Sequence, residues 1–143
     1  MPLDNEAVVK RWWEELWNKG DLALADEIIS PDFTDHDPAS PWVPPGIEGC
    51  KTLVTGYRTV FPDIHFAIAQ QVVAGDTVVS HWRCSGTHRG ELMGIPPTSK
   101  RMEVEGISIL HLQGGKIRHQ TTIWDALGLM QQLGAVPRPQ PAA

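Results

Sequence analysis

The sequence predicts an α+β fold: a cone-shaped barrel in which a curved, mostly antiparallel sheet is covered by N-terminal helices and followed by a short C-terminal helix. Two observations carry this prediction. Apolar residues recur at helical intervals as far as residue 62, and beyond residue 64 they follow the shorter period of strands. The turns Gly75-Asp76 and Gly114-Gly115 between the later strands are short enough to favour antiparallel pairing. A curved sheet covered on one face has one open mouth, which suits a small apolar ligand.

The first helix is predicted between Asp4, which can cap its N-terminus, and Gly20, which stops it. Its apolar stripe comprises Val9, Trp12, Trp13, Leu16 and Trp17. The first helix therefore has one apolar face that packs on a core.

A second helix over residues 22–29 follows an N-cap at Asp21 and ends before Pro31.

Proline dominates residues 37–46, which follow a short extended stretch over residues 33–36. Because four prolines remove the donors that a regular ladder needs, this segment is predicted to be a loop. Trp42 in the middle of the loop suggests a lid. A third helix, over residues 47–60, ends at Pro62-Asp63.

Strands and a last helix make up the rest of the chain. The strands are predicted over residues 64–73, 77–86, 101–113 and 116–124. Asp125 is expected to cap the last helix, which ends at Gly134. Residues 1–143 then form a single domain, with residues 136–143 as a proline-rich tail.

Charge and composition exclude several classes of function. The formal net charge of −5 and the lack of a long basic run argue against nucleic acid and acidic membranes as partners. No apolar leader or membrane-spanning segment is present, so we expect a cytoplasmic protein. Cys50 and Cys84 lack paired spacing and are expected to be reduced core residues. The histidines show no metal-ligand spacing, so no metal site is expected.

Glycines and prolines stand at fixed offsets in the second half of the chain. The segments concerned are residues 86–98, residues 115–117 (Gly-Lys-Ile) and residues 124–134. Together with Asn18-Lys19-Gly20-Asp21 and His36-Asp37-Pro38, they resemble the SnoaL-like polyketide cyclase (ester cyclase) family over nearly the whole chain. The resemblance implies the cone-shaped fold shared with ketosteroid isomerase and scytalone dehydratase. It also implies an intramolecular aldol condensation that closes a ring in a polyketide ester, without a metal or organic cofactor.

The chain departs from the family at two positions. In the characterised cyclases an Asp on the last strand is the acid/base, and a His on the preceding strand helps to hold the substrate. Alignment through the Gly-Lys-Ile segment places Thr122 at the Asp position and Ser108 at the His position. Because a hydroxyl cannot take up a proton at neutral pH, an enzyme with this sequence needs another base. Thr122 and Ser108 are candidates for substrate binding.

Two histidines are candidates for the catalytic base. His36 is flanked by Asp35 and Asp37, and an adjacent carboxylate can orient an imidazole and raise its pKa. The alternative is that His36 braces the loop. His88 lies where the family motif also carries His, and its alternative is a hydrogen bond to the nearby Gly/Pro-rich backbone.

Further candidates for substrate binding lie on strands and helices. His81 and Arg83 share one face of their strand, and the sequence does not decide whether that face looks into the cone. If it does, Arg83 can donate hydrogen bonds to a carboxylate or an enolate. Three aromatic residues on buried helix faces are candidates too, either as core residues or as part of the cavity wall: Trp17, Tyr57 and Phe61.

Two classes of function are open. In the first, a cofactor-free enzyme acts on a small, largely apolar carbonyl compound by general acid/base catalysis, as a cyclase, isomerase, hydrolase or dehydratase. In the second, the protein is a non-catalytic ligand-binding relative that has the pocket and lacks the base. Strands with apolar residues on both faces also predict a homodimer or homotetramer, because the uncovered face of the sheet must be buried.

Overall fold

The computed structural model describes residues 4–139, which form four α-helices and a five-stranded sheet. The helices are α1 (Asn5–Arg11), α2 (Ala23–Ile28), α3 (Gly46–Val60) and α4 (Ala126–Gln132). The strands are β1 (Ile29–His36), β2 (His65–Ala74), β3 (Thr77–Thr87), β4 (Arg101–Gln113) and β5 (Lys116–Trp124). The predicted α+β class, with a short C-terminal helix, is confirmed.

The sheet is curved, open and mixed, with the strand order β1-β5-β4-β3-β2. Strands β2 to β5 pair antiparallel, as the short turns predict for β2 with β3 and for β4 with β5. Strand β1 pairs parallel with β5, so β1 and β2 are the two edges and the barrel does not close. The predicted stretch over residues 33–36 begins earlier, at Ile29, and runs through Pro31. An edge strand tolerates this proline, and the register shifts between Ile29 and Thr34.

The first helix changes its winding halfway along. Asp4 caps α1 as predicted, since its Oδ1 accepts from the N–H of Ala7 at 3.0 Å. Beyond α1 the chain continues as a π-helical segment, Trp12–Trp17, and the apolar stripe of the sequence is buried there. Asn18 follows and ties the segment to the sheet through two hydrogen bonds with the backbone of Phe66. π-Helical turns are frequent at functional sites.

Two other cap predictions have different outcomes. The predicted N-cap at Asp21 is wrong: Leu22 occupies the cap position of α2, and the Asp21 backbone carbonyl, not its carboxylate, accepts from Leu24 N–H. Asp125 does cap α4, because its Oδ1 accepts from the N–H of Gly128 at 2.8 Å.

The core lies between the helices and the inner face of the sheet, and aromatic rings fill it. The rings in mutual contact are Trp12, Trp13, Trp17, Phe33, Phe66 and Trp82. Cys50 and Cys84 are free thiols in this core, and burial raises the pKa of each to about 12. Both therefore stay protonated at neutral pH.

The register of β3 and β4 decides which side chains face inward. Trp82 and Cys84 are buried on the inner face, so His81 and Arg83 lie on the outer face of the sheet. Trp82 pairs with Gly106 on β4. A Cβ at position 106 would stand 2.5 Å from the Trp82 ring, so the indole lies flat against a backbone that only glycine leaves open. None of the helices in the part of the chain that the structure describes is long and apolar enough to cross a membrane.

Candidate functional site

A cavity of about 60 Å³ lies between the helices and the inner face of β3, β4 and β5. Its wall is mostly apolar: Trp13, Trp17, Leu53, Tyr57, Phe61, Ile64, Phe66, Trp82, Cys84, Met102, Val104, Trp124 and Leu129. The polar side chains that complete it are Asp37, Ser108, Gln120 and Thr122. A wall with few polar groups favours a largely apolar ligand that they orient.

Asp37 is the carboxyl group on this wall. It follows β1 directly and is 8% exposed. The backbone N–H of Ala39 donates to its Oδ1 at 2.8 Å, and the Nε1 of Trp124 donates to its Oδ2 at 3.1 Å. Burial raises the pKa of Asp37 above its ordinary value, and these hydrogen bonds oppose the rise. A carboxyl group with a raised pKa and a fixed orientation has the properties of a general base.

A second carboxyl group, Asp35, lies behind the wall. Its Oδ1 accepts from the Nε2 of Gln120 at 2.6 Å, while its Oδ2 is buried without a hydrogen-bond partner among residues 4–139. Burial raises the pKa of Asp35 to about 6, with a smaller contribution from the negative charge of Asp37. Asp35 therefore holds the amide of Gln120 in place at the cavity.

Two hydroxyls lie beside Gln120 on the part of the wall that the sheet forms. Ser108 and Thr122 are cross-strand partners on β4 and β5, and their Oγ and Oγ1 atoms lie 2.8 Å apart. The Nε1 of Trp82 donates to the Oγ of Ser108 at 3.0 Å. All three side chains are buried. This group of three can hold a polar ligand atom in a fixed position.

The loop after β1 packs against α3 beside the cavity. The hydroxyl of Ser40 in this loop is hydrogen-bonded to the hydroxyl of Tyr57, which lines the cavity. Burial raises the pKa of Tyr57 to about 12, so this hydroxyl stays protonated. Trp42 in the same loop is 52% exposed and stands over Gly56 of α3, where a Cβ would come within 3.2 Å of its ring.

Residues 7–133 match the SnoaL-like polyketide cyclase family. The chain belongs to that family. It is 28% identical over 119 residues to the nogalonic acid methyl ester cyclase of Streptomyces nogalater, covering 82% of this chain and 89% of that one. It is 30% identical over 116 residues to an aklanonic acid methyl ester cyclase of Streptomyces peucetius, covering 80% of this chain and 77% of that one.

Solved structures of the family have the same fold. TsrD from Streptomyces laurentii superposes with a TM-score of 0.84 at 28% identity, covering 94% of this chain and 100% of that one. A protein of Jannaschia sp. CCS1 described as a SnoaL-like polyketide cyclase superposes with a TM-score of 0.85 at 25% identity, covering 96% and 97%. The open cone is therefore the architecture that this chain shares with other SnoaL-like proteins.

Most of the predicted substrate-binding residues meet at the cavity. Those that line it are Trp17, Tyr57, Phe61, Ser108 and Thr122. His81 and Arg83 do not, because they lie on the outer face of the sheet. There the Nε2 of His81 is 3.4 Å from the Oε2 of Glu105. The structure thus brings together the aromatic residues and the two hydroxyls at the positions where the family resemblance has Asp and His.

The two predicted catalytic histidines lie away from the cavity wall. His36 is exposed on β1, where it alternates with Asp35 and Asp37 and therefore points to the opposite face. His88 is fully buried in the connection between β3 and β4, where its Nδ1 accepts from the backbone N–H of Thr98 at 3.1 Å. The contact with Thr98 is the backbone hydrogen bond of the alternative for His88.

Sequence reasoning missed Asp37 and Gln120 as candidate site residues. A signal for Asp37 was present, since alternation along β1 places it on the same face as the buried Phe33. The same argument applies to Gln120, which shares the inward face of β5 with Thr122. His36, the predicted base on this strand, lies on the opposite face from the cavity.

Proposed function

We propose that this member of the SnoaL-like family is an enzyme that works without a cofactor on a small, largely apolar carbonyl compound. Its reaction is acid/base catalysed, an aldol ring closure or an isomerisation, and Asp37 is the base. The observation that carries the proposal is that Asp37 is buried on the wall of an apolar cavity. The nogalonic and aklanonic acid methyl ester cyclases among its relatives support the reaction class.

The chemistry follows from what a buried carboxylate can do. Asp37 takes a proton from the carbon next to a carbonyl group, which leaves an enolate. In ring closure, the enolate carbon forms a bond to a second carbonyl carbon of the same molecule. The oxygen of that second carbonyl becomes an alkoxide and receives the proton from Asp37, so the base is regenerated and the product is a hydroxy ketone. Because Ala39 and Trp124 hold the carboxylate, little reorientation is needed.

The cavity must widen before it can hold a ligand of ordinary size. The cavity of about 60 Å³ is smaller than the roughly 300–1,000 Å³ typical of ligand pockets. The loop that carries Ser40 and Trp42 is attached to α3 by one hydrogen bond between side chains and by close contacts at Gly49 and Gly56. We propose that this loop is the lid that opens for the substrate.

The test is a steady-state assay with aklanonic acid methyl ester and nogalonic acid methyl ester. We expect turnover by the parent and a loss of at least about a hundredfold in kcat for Asp37→Asn, the effect of removing a general base. Asp32→Asn is the matched control on the same strand, because Asp32 is exposed and pairs with Arg118. Full activity of Asp37→Asn, or a comparable loss in His36→Ala, would contradict the assignment of the base.

A second function has one observation in its favour. Thr122 and Ser108 stand where the family resemblance has Asp and His, and neither hydroxyl can act as a base. A ligand-binding protein without turnover is therefore the alternative, and tight binding of both esters without product would support it.

In either case the two free, buried thiols favour a reducing compartment, and we propose the cytoplasm.

A further inference from the structure

We infer that Ser108 and Thr122 together donate one hydrogen bond to a carbonyl oxygen of the ligand, and that Trp82 is the positioning residue that directs this donor. The inference rests on the proposed function, because it concerns the same cavity. It also narrows the ligand class: the ligand presents a hydrogen-bond acceptor to the sheet, opposite an acidic C–H.

The hydroxyl pair has one more proton than its internal hydrogen bond uses. Ser108 and Thr122 carry two hydroxyl protons, and the bond between their oxygens uses one of them, whichever residue donates. The indole N–H of Trp82 can only donate, so it occupies a lone pair of the Ser108 oxygen and uses no hydroxyl proton. Within residues 4–139 the two hydroxyls have no other hydrogen-bond partner. One O–H therefore remains unused, and both residues line the cavity.

The hydrogen bonds that join Trp82, Ser108 and Thr122 have a preferred direction. A donor at its oxygen makes Ser108 a better donor in turn, because hydrogen bonds in a row polarise one another. The favoured order is then Trp82 to Ser108 to Thr122, with the free proton on Thr122. Exposure agrees with this order, since Ser108 is fully buried whereas Thr122 is 7% exposed. The close contact between Trp82 and Gly106 fixes the start of the chain.

The cavity wall carries both a proton acceptor and a hydrogen-bond donor. Asp37, on the wall beside β1, accepts protons, while the hydroxyl pair on β4 and β5 donates one. Enolate formation needs this combination, a base at the C–H and a donor at the oxygen where charge develops. The positions at which the resemblance has an Asp and a His thus hold an oxygen-binding group in this chain.

The test measures binding and needs no turnover. Acetophenone and ethylbenzene are the two probes, because they have similar shapes and only the first has a carbonyl oxygen. We expect the parent to bind acetophenone about three- to tenfold more tightly, the factor that one net hydrogen bond supplies. The infrared C=O stretch of bound, ¹³C-labelled acetophenone should lie below its frequency in an alkane solvent.

Variants separate the hydroxyl from general effects on folding. Thr122→Val should reduce both the binding preference and the frequency shift, because it removes the donor that faces the ligand, and Thr122→Ser should retain them. Trp82→Phe should reduce the frequency shift without abolishing it. The matched control is Thr121→Val, the same change at the next residue, whose hydroxyl contacts His119 on the outer face.

Three outcomes would overturn the inference. They are equal binding of the two probes by the parent, no binding of acetophenone at all, and an unchanged C=O frequency in Thr122→Val. Failure of the proposed function looks different, because a protein that binds acetophenone through Thr122 but converts neither ester would support the inference and contradict the enzyme.

Discussion

The Nε1 of Trp124 lies 3.1 Å from the Oδ2 of Asp37, so the last residue of β5 orients the carboxyl group that follows β1. The contact joins the C-terminal ends of β1 and β5, which lie side by side because the two strands are parallel. The sequence did not predict this pairing. It also opposes the effect of burial on the pKa of Asp37.

Removing this indole donor should change the pH dependence of activity. In Trp124→Phe the Asp37 carboxylate loses a hydrogen bond that lowers its pKa, so its pKa should rise further. Because the base must be ionised, the acid limb of the kcat profile should move to higher pH. The measurement is kcat against pH with the methyl ester substrates.

Trp12→Phe is the control for loss of an indole. Trp12 is buried away from the cavity wall, and its Nε1 has no hydrogen-bond partner among residues 4–139. The acid limb of the kcat profile of Trp12→Phe should lie at the same pH as that of the parent, even if the variant is less stable. An unmoved limb in Trp124→Phe would show that Asp37 does not set the profile.

Asp35 should make the protein less stable as pH rises. Its folded-state pKa of about 6 is above that of an exposed Asp, so the folded state holds its proton more tightly than the unfolded state does. The resulting stabilisation is full below about pH 4 and is lost as pH rises through about 6. Asp35→Asn keeps an acceptor for Gln120, removes the buried charge, and should raise the free energy of unfolding at pH 7 by about 1–3 kcal/mol.

Urea unfolding at pH 4.5 and pH 7 measures this effect. The difference in unfolding free energy between Asp35→Asn and the parent should be larger at pH 7 than at pH 4.5. Asp32→Asn, on the exposed part of β1, should show no such gain at pH 7. A variant Asp35→Asn that is less stable than the parent at pH 7 would mean that the ionised carboxylate is stabilising.

Two glycines of α3 that contact the loop should differ in their tolerance of alanine. A Cβ at Gly49 would stand 1.7 Å from the carbonyl oxygen of Pro44, which is backbone and cannot turn away. A Cβ at Gly56 would stand 3.2 Å from the ring of Trp42, which can. We expect Gly49→Ala to lower the free energy of unfolding by about 2 kcal/mol or more. Gly56→Ala should change it by less than about 1 kcal/mol, since alanine also favours the helix.

Thermal melting and tryptophan fluorescence distinguish the two variants. Gly56→Ala should shift the emission of Trp42 with little change in melting temperature, and a Trp42→Phe background identifies that signal. Equal melting temperatures for Gly49→Ala and Gly56→Ala would show that the loop does not depend on the contact at Gly49.

Self-association through the outer face of the sheet is the last prediction. Ile107 and Ile123 are cross-strand neighbours on that face, 48% and 58% exposed. We propose a homodimer or homotetramer that buries them, and Ile107→Glu should then give a monomer of about 15.8 kDa by light scattering. Leu127→Glu is the control, because Leu127 is equally exposed but lies on α4. A parent protein that is already monomeric at micromolar concentration would refute the proposal.

Patterns within single elements were predictable from the sequence, and pairings between distant elements were not. The alternation in β3 and β4 and the cap at Asp125 depend on neighbouring residues, so local chemistry determines them. The parallel pairing of β1 with β5 joins segments about 85 residues apart, and no local period encodes it. The hydrogen bond between Asp37 and Trp124 depends on this pairing, although alternation along β1 already places Asp37 on the same face as Phe33.

The winding of the first helix was also beyond the sequence. The spacing of Trp12, Trp13 and Trp17 fits an α-helix, whereas in the structure they lie on a π-helical turn. The rings of Trp13 and Trp17 pack there on Phe66, and Trp13 also packs on Trp82. Packing of this kind is a property of the whole core. The aromatic cavity residues could be named from the sequence, but the shape of the space between them could not.

Pro31 has a consequence for how the chain behaves among other copies of itself. An edge strand normally offers a row of free N–H and C=O groups to which another strand can add. In β1 this row is interrupted, because Pro31 has no N–H and the register shifts around it. The edge is therefore a poor template for a foreign strand. Pro31 thus protects the β1 edge of the open sheet from edge-to-edge polymerisation.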